Sequence, residues 1–145
     1  MTDRDPLALD EQVCFALAVA SREVVSAYRA VLDPLGLTHP QYLVMLALWQ
    51  HDDLALKDLS ALLHLDPGTL SPLLKRLEAA GLISRTRSAS DERALVISAT
   101  AQGSALRRTA LSIPSTMLAR LDMSQDDLEA TNAVLHRIID AARAS

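Results

Sequence analysis

Cys14 is the only cysteine in 145 residues, and Tyr28 follows it on a stretch whose apolar residues recur at helical spacing. A thiolate is the reactive form of cysteine. It is favoured near a helix N-terminus, beside a cation or under hydrogen-bond donors, and it needs an access path. With Asp10 as the cap of the first helix, Cys14 lies about one turn inside it, where the helix dipole still modestly favours an anion. Fourteen positions return Tyr28 to within about 40° of the same face but raise it ~21 Å. The two side chains therefore cannot touch within one straight helix. A Tyr28 hydroxyl that reaches the sulfur must come from the other subunit of an antiparallel pair. The same residue types also suit a bland role, since a cysteine on an apolar stripe commonly packs as a small hydrophobe.

A second group of side chains has the chemistry to meet a polyanion. Residues 69–87 hold Lys75, Arg76, Arg85 and Arg87 against Glu78, a net +3 in a chain whose total is −4. An acidic body with one basic segment presents positive charge locally. In the helix that follows Asp66, the leucines face inward and leave Thr69, Ser71, Lys75 and Arg76 to reach base edges or phosphates. Arg93 stands near the tip of the next hairpin, where a guanidinium can enter a narrow, A·T-rich minor groove. Asp91, two residues earlier, can hold an arginine by a bidentate pair. On charge alone, a solvated helix and an ordinary surface hairpin explain these residues equally well; the order of elements favours DNA. No metal site is expected. His51, His64 and His136 do not converge, and one cysteine can form neither an internal disulfide nor a cysteine-rich zinc site.

The elements that must position these groups are mostly helical. Half of the chain is apolar, yet Phe, Tyr and Trp together number four, and glycine and proline are sparse. The length suits one domain with a real core. Nothing approaches an uninterrupted membrane span of ~18 apolar residues, and the acidic start "MTDRDPLALDEQ" is no signal peptide. A cytoplasmic protein without cofactors is expected. The spacing predicts a first helix over about 10–32, then a break at "DPLGLTHPQ" and a buried helix in "QYLVMLALWQ". A short helix, "ALKDLSALLHL", should turn Leu56, Leu59, Leu62 and Leu63 inward. The next helix starts either at Pro67 behind an Asp66 cap or later behind Ser71, because Pro72 removes a hydrogen bond; Gly81 reads as its stop. "LISRTRS" and "RALVISA" alternate apolar and polar residues around "ASDE", a β-hairpin. Helix resumes over about 104–142, interrupted by Pro114, with Ser124 and Asp127 in capping-box spacing. Two short helices followed directly by a hairpin make a winged helix-turn-helix over about 38–100. The fold class is mainly α with a small β-hairpin wing.

At this point a family resemblance becomes specific. "LDPGTLSPLLKRLEAAGLISRTRSASDERALVISAT" resembles the recognition helix and wing of the MarR family of bacterial regulators, including the D-x-R of Asp91 and Arg93. "CFALAVASREV", "YRAVLDPLGLTHPQYLVMLALW" and "DPGTLSPLLKRLE" together resemble one branch, the organic-hydroperoxide-resistance regulators, from about Glu11 to Ile139. The resemblance implies a single MarR-like domain over residues 1–145. It implies an obligate homodimer whose N- and C-terminal helices interlock, and a pseudo-palindromic double-stranded operator. It also implies a non-enzymatic repressor of the one-cysteine type. In that scheme Cys14 senses an organic hydroperoxide entering an apolar pocket beside Phe15 and Leu17. Tyr28 is its cross-dimer donor, and, with no second cysteine in the chain, a small cellular thiol, a backbone nitrogen or more peroxide takes up the oxidised sulfur. The family's second tyrosine falls at His39, a departure that an imidazole hydrogen-bond donor can make good. The rival keeps the DNA-binding half: a MarR-type repressor relieved by a small aromatic ligand, with Cys14 structural. A thiol peroxidase would leave the wing arginines unexplained.

Overall fold

Thr38, Pro40 and Gln41 show how local sequence starts the central helix. The Thr38 hydroxyl accepts the Gln41 N–H at 3.3 Å, and the Gln41 side chain accepts the Thr38 N–H at 3.0 Å. This capping box satisfies two amide donors, and Pro40 fills a first-turn position whose N–H has no partner inside the helix. The computed structural model describes residues 4–88, 90 and 94–144. In chain order it contains α1 (Val13–Leu32), α2 (His39–His51), β1 (Leu54–Ala55), α3 (Leu56–Leu63), α4 (Pro67–Ala79), β2 (Ile83–Arg87), β3 (Leu95–Ala99), α5 (Ala101–Ala110), α6 (Ile113–Arg120) and α7 (Gln125–Ala144). Residues 29–111 form one unit; residues 1–28 and 112–145 form a second.

The first unit is the winged helix-turn-helix. Its core is α2, with Val44, Met45 and Leu48 inaccessible, packed with Leu59 of α3, Leu70, Leu74 and Leu77 of α4, and Ile83 and Ile97 of the sheet. The α3–α4 turn places His64 in the left-handed region at φ 55°, and the Ser60 hydroxyl donates to the Leu65 carbonyl across it. Leu62, expected inward, is exposed instead. An eight-residue helix has only two turns, and Leu59 already occupies the face against α2 and α4. Of the two starts open for α4, the earlier one holds: Asp66 Oδ1 accepts the Thr69 N–H at 2.7 Å, and Pro67 leads the helix. Pro72 sits inside it without ending it. Gly81, at φ 80°, takes the left-handed position that stops the helix, and the Leu82 N–H returns to the Leu77 carbonyl at 3.0 Å.

The hairpin β2–β3 forms as expected, pairing Ile83 with Ala99 and Arg87 with Leu95. A further strand, β1, pairs Leu54 with Ile97 and Ala55 with Val96, so the antiparallel order is β1-β3-β2. The start of α5 closes the base of the wing. Thr100 Oγ1 donates to the Gly81 carbonyl at 2.6 Å and accepts the Gly103 N–H at 3.1 Å. Trp49 Nε1 donates to the Gly103 carbonyl at 3.0 Å. Gly103 has no room for a side chain: a Cβ would stand 2.1 Å from the Leu82 carbonyl oxygen.

In the second unit, α1 begins later than the sequence suggests. Asp10 lies in a short 3-10 turn, Leu9–Glu11, and Gln12 is the extended residue before Val13. The Gln12 side-chain amide donates to the Pro6 and Ala8 carbonyls at 2.7 and 2.8 Å, pinning the arm that leads into the helix. The helix is interrupted near Pro114 as expected: α5 ends at Ala110, and Pro114 sits in the first turn of α6. Ser124 and Asp127 cap α7 reciprocally, each backbone N–H bonding the other's side chain at 3.0 Å. No side chain of α7 is buried, although Leu128, Leu135 and Ile138 form its apolar stripe. No described helix is long and apolar enough to cross a membrane.

Candidate nucleic-acid interface and sensing cysteine

The outward face of α4 is set by what its inward face buries. With Leu70, Leu74 and Leu77 inside, Thr69, Lys75 and Arg76 are exposed, and Ser71 is half-buried at the flank. Thr69 stands at the third position of α4, where its N–H is held by Asp66. That bond also keeps the Asp66 carboxyl below its usual range. An α-helix presented this way offers its first turns to a major groove.

Arg85 and Arg87 lie on β2, as the alternation predicts, but their environments differ. Arg85 is engaged by Glu78 of α4 through two parallel bonds, Nη2 to Oε1 at 3.0 Å and Nε to Oε2 at 3.3 Å. The bonded guanidinium keeps the Glu78 carboxyl below its usual range. Arg87 is exposed at the far end of the strand. Asp91 and Arg93, expected at the wing tip, lie outside the described residues. The Glu78–Arg85 pair cancels its own charge, so the positive charge on the outward face of α4 resides on Lys75 and Arg76. In the sequence, Glu78 enters only as a deduction from the charge of residues 69–87. No local rule links a residue near a helix end to a strand residue seven positions on, across a glycine turn.

Cys14 is the second residue of α1 and is exposed. The delayed helix start thus moves the sulfur from about one turn inside the helix to its first turn, where backbone N–H groups lack intrahelical acceptors. Its apolar neighbours are uncovered too: Val13 is 63% and Phe15 37% exposed, while Leu17 is half-buried. Tyr28 lies on the same unbroken helix. Burial raises its pKa, so the phenol keeps its proton as a donor. His39 is the first residue of α2, and burial holds its imidazole below the ordinary range and so neutral at pH 7. A cation at a helix N-terminus would also oppose the helix dipole. Among the described residues no group of histidine, cysteine, aspartate or glutamate is arranged to hold a metal.

Comparison with known proteins places this arrangement. The MarR family matches residues 37–95. The organic hydroperoxide resistance transcriptional regulator of Bacillus subtilis is 43% identical over 94% of this chain and 92% of its own length. Among solved structures, reduced AbfR bound to DNA superposes with a TM-score of 0.80 at 31% identity, covering 94% of this chain and 93% of that one; AbfR is a Staphylococcus epidermidis protein. The transcriptional repressor CouR, bound to a 23-mer duplex, gives 0.83 at 26% identity, covering 95% and 99%. A buried three-leucine face behind an outward polar helix, a paired wing beside it, and near end-to-end similarity to such regulators lead to one conclusion: the chain belongs to the MarR family of winged-helix, DNA-binding transcriptional regulators.

Proposed function

We propose that this protein is a homodimeric, cytoplasmic repressor that binds a pseudo-palindromic operator while Cys14 is reduced and releases it when an organic hydroperoxide oxidises that thiol. The observation that carries the reading is the place of Cys14, in the first turn of α1 and flanked by exposed Val13 and Phe15. The apolar flank suits bulky peroxides, and a second chain packed on it forms the pocket and brings its Tyr28 hydroxyl to the sulfur. The kinship with a regulator of organic hydroperoxide resistance supports the same signal.

In the reaction the thiolate sulfur attacks one peroxide oxygen and the O–O bond breaks. The alkoxide leaves and takes a proton to become an alcohol, while the sulfur, oxidised by two electrons, becomes a sulfenic acid. A small cellular thiol then condenses with it, releasing water and leaving a mixed disulfide, since this chain has no second cysteine. The added group disturbs the packed terminal helices. Two recognition helices set for half-sites about one DNA turn apart then lose their common register.

The test is operator binding with and without cumene hydroperoxide, followed by intact-mass measurement. Wild type should dissociate as its mass rises, and Cys14→Ser should bind DNA and ignore the peroxide. Equal dissociation of Cys14→Ser, or release by salicylate with no response to peroxide, would sink the sensing role and leave a ligand-relieved repressor.

A further inference from the structure

We infer that the Glu78–Arg85 pair is a strut that sets the angle of the wing against the recognition helix, and that Arg85 serves DNA binding by positioning rather than by contacting phosphate. The inference rests on the DNA-binding reading and adds a role for two residues within it. Three observations carry it. The pair is bidentate, with bonds of 3.0 and 3.3 Å, which fixes the guanidinium plane as a single contact does not. It joins two elements that dock separately, α4 in the major groove and the β2–β3 wing along the backbone or minor groove. Arg85 occupies the middle of β2, opposite Ile97, whose side chain is fully buried, so its backbone is held by the sheet while its side chain reaches back to the last turn of α4.

The alternative role is a phosphate contact, and it predicts effects of opposite sign. If Arg85 bound a phosphate, Glu78 would compete for it and would also repel the DNA. Glu78→Ala would then tighten binding, and Arg85→Ala would reduce the salt slope of log K by about one. If the pair is a strut, Glu78→Ala and Arg85→Ala should weaken binding alike, by roughly threefold given the modest strength of exposed pairs. The double variant should be no weaker than either single one, and the salt slope should stay at the wild-type value. Arg85→Lys should behave like Arg85→Ala, because a lysine cannot reproduce the fork. Restoring the pair in reverse, Glu78→Arg with Arg85→Glu, should bind better than Arg85→Glu alone.

The experiment measures these variants by fluorescence anisotropy at several salt concentrations, on a duplex that wild-type protein has selected from a random pool. Matched losses with an unchanged slope support the strut. Tighter binding by Glu78→Ala, or a slope reduced by about one in Arg85→Ala, overturns it in favour of a phosphate contact. Failure of wild type to select any duplex overturns the DNA-binding reading itself, and the strut with it.

Discussion

His39 carries the sharpest consequence at the scale of a single residue. It stands where a relative of the peroxide-sensing branch is expected to hold a second tyrosine, and burial keeps its imidazole neutral near pH 7. A neutral ring donates one hydrogen bond, as a phenol does, without placing a cation at the start of α2. If that donor supports the Cys14 thiolate across the dimer, His39→Ala should slow alkylation of the reduced protein by iodoacetamide several-fold at pH 7, while His39→Tyr should restore it. Equal rates in wild type and His39→Ala would remove the histidine from the mechanism. A pH effect follows independently of any role in sensing. The native pKa lies below the unfolded value of about 6.5, so between the two the unfolded chain binds more protons and stability decreases as the pH decreases. The contribution is complete above about pH 6.5 and is lost as the pH drops through the native value. Thermal unfolding of wild type and His39→Gln should therefore run parallel above that point and diverge below it, wild type losing more. Parallel curves down to pH 5 would show that burial exerts no such hold.

At the scale of elements, the joint between the wing and α5 is more exacting than its surface location suggests. Thr100 Oγ1 donates to Gly81 and accepts from Gly103, and Leu82 presents its carbonyl to the Thr100 N–H at 3.0 Å. Thr100→Val keeps the shape and removes both hydroxyl bonds, leaving the Gly81 carbonyl unpaired; chemical denaturation should show a loss of about 1–3 kcal/mol. Gly103→Ala should cost at least as much, about 1–3 kcal/mol or more, because the intruding methyl meets a backbone carbonyl rather than a movable side chain. A denaturation midpoint unchanged in Gly103→Ala would mean that the joint yields. None of this was legible from spacing. Leucine periodicity announced α4, alternation announced the hairpin, and Ser124 with Asp127 announced the start of α7, because each is a local signal. Gly103 instead reads as a poor helix former in a helix, and its reason is Leu82, twenty-one positions earlier. The strand β1 escaped for a related cause: two residues have no period, and Leu54–Ala55 is a strand only because Ile97 and Val96 lie beside it. Asp10 looked like a cap by residue type, yet the chain spends it in a 3-10 turn and starts α1 at Val13. That displacement moves Cys14 into the first turn, which is why the thiol's setting could be guessed from sequence but not placed.

At the scale of the whole molecule, the terminal helices leave apolar side chains uncovered. An isolated helix of 20 residues is marginal in water, and most helical stability comes from packing an apolar face. Yet α7 buries no side chain, and Val134 and Ile139 are 44 and 39% exposed. Val13, Phe15 and Leu9 add to the uncovered apolar surface of the same unit. A second copy supplies the cover most economically, because a twofold axis lets one stripe bury its own duplicate. Sedimentation should accordingly find a dimer, and the midpoint of thermal unfolding should rise with protein concentration. Ile139→Asp combined with Val134→Asp places two carboxylates in that seam and should drive the equilibrium toward monomer. The winged unit has its own core in Leu48, Leu59, Leu74 and Ile97, so the variant should retain helical circular dichroism while it loses operator affinity. The loss should be large, on the order of 10²–10⁴-fold, because two linked reading heads bind through effective concentration and a single one does not. A wild-type protein that sediments as a monomer at every concentration, or a variant that binds the operator as tightly as wild type, would mean that the exposed stripes have some other use. Tyr28 could then not reach the sulfur of Cys14, since one straight helix holds them ~21 Å apart.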